Sequence, residues 1–277
     1  MKKLQLLSLA LAMFALSSCS NNDEPENLAD SAVGNYSGYT VASCAYFSNM
    51  AADNQSVAIS SSAINTANIS FVSDTWGTFT IDDATLTGSG DNVVISGSGK
   101  CSMSHAGSQA KEYDCTVEGN VAGKTLTLTF SCPAVMGGLS IEFRQGDVPA
   151  DVVVPGTYKG YTEAKSTYFA GMMAADQQIV IAKNSDGSFK VTYSSDTWGE
   201  FVVDNVAAEY ASGKFTLSGA GTTSMGMNGN VKDYECEFAG EVDVEKNDPS
   251  FTFTVPAVMG GLTVTFHSGD MPEAESN

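Results

Sequence analysis

Apolar and polar positions alternate with a period of two along most of the chain, which is typical of β-strands with one buried face. Tyr234, Cys236 and Phe238 share one parity, and acidic residues lie between them. The segments 158–165 and 251–255 show the same alternation. We therefore predict about eight short strands in each half of the chain and no regular helix.

The chain contains the same unit twice. Residues 133–139 read Pro-Ala-Val-Met-Gly-Gly-Leu, and residues 256–262 repeat them unchanged. A period of more than 100 residues is the size of a domain. We predict tandem domains over 33–149 and 154–272, which touch because the join 150–153 is short, and then a tail over 273–277. Other matches follow in the same order, among them Tyr36/Tyr158, Trp76/Trp198 and Cys115/Cys236.

Turn signals separate the predicted strands. Asp186-Gly187, Asn228-Gly229 and Gly97-Ser98 are pairs of this kind. Antiparallel sheets with one solvated face give the observed alternation, and closure of a sheet removes its exposed edges. The predicted fold class is all-β, with an antiparallel sandwich or barrel of about eight strands in each unit.

Each unit carries one order of motifs. In the first unit these are Tyr-x-Gly (Tyr36–Gly38), a strand after Trp76, a glycine-rich strand (Gly97–Gly99), Tyr-x-Cys (Tyr113–Cys115) and a Met-Gly turn (Met136-Gly137). This order resembles the calycin-like β-barrel lipoproteins of gut-type Gram-negative bacteria. The resemblance covers both units and implies two tandem up-and-down barrels related in shape to lipocalins. It implies no catalytic residues, and fold alone does not give function.

The N-terminus has the features of a secretory signal. Lys2 and Lys3 precede an apolar run over 4–16 that is too short to span a bilayer. The run ends in Leu-Ser-Ser before Cys19, and this resembles the lipobox of bacterial lipoproteins. We expect residues 1–18 to be a signal peptide; an ordinary secretory signal with a chance cysteine is the alternative.

The segment after the signal is expected to attach the protein to a membrane. Lipidated Cys19 would provide the anchor, since several acyl chains attach a protein stably to a membrane and a single chain does not. Residues 19–32 are polar and aperiodic, and we predict a flexible tether. Ser20–Glu24 resembles the surface-export signal of some Gram-negative lipoproteins, which implies an outer-membrane anchor and a cell-surface location.

The charge of the chain excludes one class of partner. Lys and Arg number 13 against 32 Asp and Glu, for a net charge of -19. Loss of residues 1–18 would remove Lys2 and Lys3 and take the charge to -21, because -19 - 2 = -21. Such a surface repels phosphate backbones, so we expect no nucleic-acid partner.

The remaining cysteines are concentrated in the first unit. A buried free thiol packs like a small hydrophobic side chain, but an oxidising compartment also allows disulfides. Because Cys101 and Cys115 fall on neighbouring strands with inward parity, we predict a disulfide between them. A four-cysteine zinc site is the alternative; it lacks Cys-x-x-Cys spacing, and we predict no metal and no cofactor. The cysteines beyond Cys19 are Cys44, Cys101, Cys115, Cys132 and Cys236.

No catalytic set emerges, and we predict that the protein is not an enzyme. His105 and His267 have no counterpart in the other unit, so no Ser-His-Asp set can be argued. Matched acids could act as acid and base or bind calcium. Ser-Asp before Thr-Trp-Gly fits an Asx-type turn instead. The matched acids are Asp74/Asp196 and Asp82/Asp204.

Matched aromatic residues are the strongest indication of binding. They could line a barrel mouth and stack on an apolar or sugar ligand, with core packing as the alternative. We predict a small apolar ligand or a glycan in or at the mouth of the barrels. The alternative function is a protein-interaction or adhesin-like accessory with packed barrels and an unknown protein partner. The candidate residues are Trp76, Trp198, Tyr46, Tyr168, Phe47 and Phe169.

Overall fold

The chain forms two closed antiparallel barrels of eight strands each, which confirms the predicted fold class. The computed structural model describes residues 27–104, 109–227, 230–245 and 248–272. The predicted signal peptide, Cys19 and the tail lie outside these ranges. Each strand pairs with the next along the chain, and the first strand of each barrel pairs with the last. Closure of this kind leaves no unpaired strand edge.

The first barrel is a simple meander. Its strands are β1 (Gly34–Ser43), β2 (Met50–Ala63), β3 (Thr66–Ser73), β4 (Gly77–Ser89), β5 (Asn92–Met103), β6 (Lys111–Ala122), β7 (Thr125–Cys132) and β8 (Leu139–Gln145).

The second barrel repeats this order. Its strands are β9 (Gly156–Lys165), β10 (Met172–Lys183), β11 (Phe189–Ser195), β12 (Gly199–Ala211), β13 (Lys214–Met227), β14 (Asn230–Asp243), β15 (Ser250–Val255) and β16 (Leu262–Ser268).

The sequence alternation fixes which side chains enter each barrel. In β7, Leu126, Leu128, Phe130 and Cys132 are at most 1% exposed, and the residues between them are more exposed. Successive side chains of a strand point to opposite faces, so one parity fills the interior. A slip of one residue would turn the apolar set outwards, and burial therefore sets the register.

Aromatic rings fill both barrel interiors. In barrel 1 the rings of Phe71, Phe79 and Phe130 have centroids 5.1–5.4 Å apart. In barrel 2 Tyr193, Phe201 and Phe253 occupy the matching positions at 4.7–5.7 Å. Side chains at these spacings are in contact, so the described interiors are packed at their centres. This differs from the hollow barrel that an internal ligand would need.

In the described part of the chain, a short helix precedes the first strand of each barrel. α1 (Ala29–Ala32) and Leu28 pack on barrel 1, with Ala29 and Ala32 fully buried. The predicted tether therefore differs from the structure at its end, because Leu28 and α1 belong to the core of barrel 1. α2 (Ala150–Val153) occupies the predicted join. Among the described residues, no helix has the length and apolar character needed to cross a bilayer.

The two barrels contact each other through an apolar cluster. Tyr39 and Ala51 of barrel 1 pack with Val148, Val154 and Tyr158, and all five side chains are at most 8% exposed. The short join holds the barrels close enough to bury this surface, as the sequence predicts. The pair therefore shares apolar surface that neither barrel would bury alone.

Candidate functional site

One end of each barrel collects the alternate connections, and we call this end the mouth. In a meander, every second connection lies at the same end of the sheet. In barrel 1 the mouth carries the β1–β2, β3–β4, β5–β6 and β7–β8 connections. Residues 105–108 of the β5–β6 connection, with His105, lie outside the described residues.

The predicted binding tryptophans belong to the wall of the barrel. Trp76 and Trp198 are each 6% exposed. The Trp76 Nε1 donates a hydrogen bond to Thr40 Oγ1 at 2.8 Å, and Trp198 Nε1 donates to Thr162 Oγ1 at 3.2 Å. Both threonines are fully buried, so each pair satisfies its polar atoms inside the barrel. Both tryptophans are therefore packed in the core of their barrel and are not exposed to a ligand.

The predicted tyrosines, by contrast, face solvent. Tyr46 is 81% exposed and Tyr168 is 79% exposed. Phe47 lies between the two environments: it is half-buried and stacks on Trp76 with ring centroids 6.1 Å apart. Phe169 stacks on its own tryptophan at 6.0 Å. Of the six candidate aromatics, only the tyrosines offer a whole ring face to a ligand.

The loop that carries each tyrosine is held by its own hydrogen bonds. The Cys44 N–H donates to Phe47 O at 2.9 Å, and the Tyr46 N–H approaches Cys44 Sγ at 3.3 Å. In barrel 2, Ser166 takes the place of the cysteine and accepts a hydrogen bond from the Tyr168 N–H at 3.1 Å. The tyrosine N–H thus has the same kind of partner in both loops, a sulfur atom in barrel 1 and a hydroxyl oxygen in barrel 2.

An exposed methionine lies in the neighbouring turn of each barrel. Met136 is 46% exposed and Met259 is 43% exposed, with φ of 49° and 50°. This left-handed conformation costs a non-glycine residue on the order of 1 kcal/mol. The turn contacts the tyrosine loop, since the Ala45 N–H donates to Met136 O at 3.3 Å. In barrel 2, Thr167 Oγ1 donates to Gly260 O at 2.8 Å.

We call Tyr46 with Met136 the barrel 1 platform, and Tyr168 with Met259 the barrel 2 platform. The sequence predicts a Met-Gly turn here, and the turn is confirmed, with positive φ at Met136, Gly137 and Gly138. The unchanged seven-residue repeat was the signal that could have revealed the platform. An exposed apolar side chain kept in a strained conformation in both copies is unusual for a residue that only shapes a turn.

A cleft between the barrels begins beside the barrel 1 platform. Its volume is about 570 Å³. Phe47 and Met50 line it on the side of barrel 1, and Val152 and Tyr158 line it on the side of barrel 2. The β1–β2 loop of barrel 1 therefore faces the junction of the two barrels.

Three cysteines of barrel 1 meet beneath its mouth. The Sγ atoms of Cys101, Cys115 and Cys132 all lie within 4.8 Å of one another. The five described cysteines are free thiols, so the predicted Cys101–Cys115 bridge is absent from the structure. Strand register gives the reason: Cys101 pairs with Tyr113, and Gly99 pairs with Cys115, so the predicted partners are diagonal.

Within this group, Cys101 Sγ lies 3.1 Å from Cys132 Sγ. Burial raises the pKa of the Cys101 thiol, and hydrogen bonding with Cys115 together with burial raises that of Cys132. Both groups are therefore held as neutral thiols. Cys44 lies directly after β1 and is half-buried at the mouth.

The matched acids lie on the surface. The Thr75 and Trp76 N–H groups donate to Ser73 Oγ at 3.2 and 3.1 Å, so Ser73 rather than Asp74 closes the predicted turn. Asp204 forms an ion pair with Lys190 at 2.6 Å. His267 is half-buried and stacks on Tyr161 with centroids 5.0 Å apart. The exposed acids of both copies are Asp74, Asp82, Asp196 and Asp204.

These features define a protein of two small up-and-down barrels with surface platforms and packed interiors. A family model for the calycin-like β-barrel domain matches residues 33–144 and again 154–269. The chain belongs to this calycin-like β-barrel family, as the sequence resemblance implied. No curated protein matches the chain.

A solved structure shows the same fold. A "putative outer membrane protein" from Bacteroides fragilis is 24% identical, with a TM-score of 0.59, over 88% of this chain and 99% of that one. A protein of unknown function from Nostoc punctiforme is 10% identical over 88% of this chain and 98% of that one. Its TM-score of 0.23 is too low to support an argument.

Proposed function

We propose that the protein is a non-enzymatic lipoprotein of the cell envelope that binds a small apolar molecule or a glycan at its barrel mouths. The observation that carries the proposal is the duplicated platform. Tyr46 and Tyr168 expose their rings in the same place, and each lies beside a turn with a strained, exposed methionine. Tyrosine faces stack on sugars and apolar chains, and methionine adapts to irregular apolar surfaces.

The proposed site is on the outside of the barrels. Packed rings occupy the barrel centres, so the ligand would lie across a platform rather than enter a lipocalin-like cavity. In barrel 1 the adjacent cleft of about 570 Å³ extends the available surface, and this volume is within the usual range for ligand pockets. The envelope location rests on the expected lipidation of Cys19 and on the similarity to the Bacteroides fragilis protein.

Thermal shift against soluble polysaccharides and dispersed fatty acids tests the proposal, because a ligand that binds only the native state raises the melting temperature. We expect some member to give a shift that Tyr46→Ala with Tyr168→Ala abolishes. Val94→Ala is the matched control, since Val94 is an apolar side chain on β5 with 45% exposure. The proposal would be contradicted if no member of the panel raised the melting temperature, or if the double variant retained the shift.

A protein partner is the second candidate. Barrels with packed interiors and exposed apolar side chains are suited to binding another protein. Tyrosine and methionine are enriched in protein interfaces. Pull-down from envelope extracts separates the two functions. A stoichiometric protein that is lost with the Tyr46→Ala and Tyr168→Ala variant, together with no small-molecule shift, would favour this candidate.

A further inference from the structure

The cysteine trio of barrel 1 has the composition and geometry of a chelating site. Cys101, Cys115 and Cys132 come from β5, β6 and β7, and their side chains are at most 2% exposed. Thiolates bound to one ion at about 2.3 Å lie roughly 3.4 to 3.8 Å apart, with the shorter value in a pyramidal and the longer in a tetrahedral arrangement. The Cys101 and Cys132 Sγ atoms are 3.1 Å apart, and no Sγ separation in the trio exceeds 4.8 Å, so the three atoms are close enough to share one ion.

We propose that Cys101, Cys115 and Cys132 form a binding site for a trivalent thiophilic metalloid, arsenic or antimony in oxidation state three. The number of ligands supports this choice. Trivalent arsenic binds three sulfurs in a pyramid and keeps a lone pair in the fourth direction. Zinc takes four ligands in structural sites, and the described residues supply three sulfurs within reach of one another.

Charge balance points to the same ion class. An uncompensated charge is very costly in an apolar interior. Three thiolates on trivalent arsenic are neutral, whereas on zinc they leave one negative charge and on monovalent copper two. The neighbouring Lys100 is exposed and already paired with Asp114 at 2.6 Å, so it offers no spare positive charge. Of these three complexes, only the trivalent one is neutral and can be buried without a counter-ion.

The binding step balances without an oxidant or reductant. Arsenous acid and three thiols form three As–S bonds and break three As–O bonds. Each thiol proton leaves with a hydroxyl group as water, so three waters are released. The site lies near the mouth, because Cys132 ends β7 and Cys101 is two residues from the end of β5.

The matching positions of barrel 2 provide an internal comparison for the cysteine trio. Thr223 and Val255 replace the first and third cysteines of the trio, and Cys236 alone is retained. Thr223 Oγ1 is buried without a hydrogen-bond partner, which shows that this position accepts a polar atom inside the barrel. Cys101→Thr and Cys132→Val therefore introduce residues that the fold already tolerates at these positions.

Native mass spectrometry of the full chain with Cys19→Ser, reduced and then mixed with equimolar sodium arsenite, tests the site. We expect one arsenic per chain, with loss of three hydrogens, and a melting temperature raised by at least about 3 °C. Cys101→Thr and Cys132→Val should each abolish the adduct. Cys44→Ser and Cys236→Ser should keep it.

A gain of binding completes the test. Thr223→Cys with Val255→Cys rebuilds the trio in barrel 2 and should give a second arsenic per chain. Failure of the parent chain to bind, an adduct that survives Cys101→Thr or Cys132→Val, or stoichiometric zinc binding in competition with arsenite would overturn the proposal. A folded rebuilt barrel 2 that takes no arsenic would overturn it as well.

Discussion

At the scale of single residues, the most informative difference between the two barrels is a side-chain hydrogen bond that barrel 2 forms and barrel 1 lacks. In barrel 2, Tyr193 Oη donates to Gln177 Oε1 at 2.6 Å. Barrel 1 has Phe71 and Gln55 at the same positions, and Gln55 Oε1 is buried with no partner. An unsatisfied buried acceptor costs about 1–3 kcal/mol. The repeat in the sequence aligns these pairs, but only the packing shows that the oxygen is buried.

We expect Phe71→Tyr to stabilise the protein by about 1 kcal/mol, because the new hydroxyl would reach Gln55 Oε1 as Tyr193 reaches its glutamine. The reciprocal change, Tyr193→Phe, should lower the free energy of unfolding by a similar amount. Urea unfolding of both variants measures the difference. A destabilised Phe71→Tyr would show that barrel 1 has no room for the hydroxyl.

A buried tyrosine should couple the stability of barrel 2 to alkaline pH. Burial raises the pKa of Tyr158 from 10.0 to about 12, and its hydroxyl donates to Val154 O at 2.7 Å. The folded state holds this proton more tightly than the unfolded state does. The stabilisation is complete below pH 10 and is lost as the pH rises from 10 to 12.

Tyr158→Phe removes this dependence, so its free energy of unfolding should fall less steeply between pH 10 and 12 than that of the parent chain. Tyr46→Phe is the control, because that tyrosine is 81% exposed. Denaturant unfolding at several pH values measures both slopes. Identical slopes for Tyr158→Phe and the parent chain would show that Tyr158 does not cause the loss.

At the scale of elements, alternation was enough to predict strands, because one buried face imposes a period of two. The motif Tyr-x-Gly has a further cause that the pattern does not show. A Cβ on Gly38 would lie 2.0 Å from Arg144 O of β8, where β1 also shifts register against β2. Gly160 of β9 has the same close approach, to His267 O at 1.9 Å.

We expect Gly38→Ala to destabilise barrel 1 by about 2–4 kcal/mol, because its methyl group would overlap a backbone oxygen that cannot rotate away. Gly34→Ala in the same strand is the matched control, since its nearest neighbour is a tyrosine ring atom at 3.4 Å. Thermal unfolding of both variants compares them. Equal losses would mean that the cost comes from strand propensity rather than from the close approach.

At the scale of the whole molecule, the join between the barrels decides whether they unfold together. Tyr39 is 5% exposed and packs in the apolar cluster of barrel 2. Tyr210 of barrel 2 donates a hydrogen bond to Asp53 of barrel 1. Burial is the largest cause that raises the pKa of Tyr210 to about 12, and this hydrogen bond is the second. Both contacts tie the barrels into one unit.

Tyr39→Ala should therefore uncouple the barrels and split one unfolding transition into two, because the shared apolar surface is lost. Tyr161→Ala is the control, since Tyr161 holds the matching position in barrel 2 but stacks on His267 and does not belong to the apolar cluster. Differential scanning calorimetry resolves the transitions. A single transition in Tyr39→Ala, or two in the parent chain, would contradict the coupling.

The sequence by itself determined the duplication, the strands and the fold class, because these depend on local alternation and on a repeat that can be read directly. Tertiary structure alone decided how distant positions meet. It brought Cys132 to Cys101 and Cys115, buried Trp76 while exposing Tyr46, and filled the barrels with rings. Register, curvature and closure fix those distances, and each depends on all eight strands of a barrel at once.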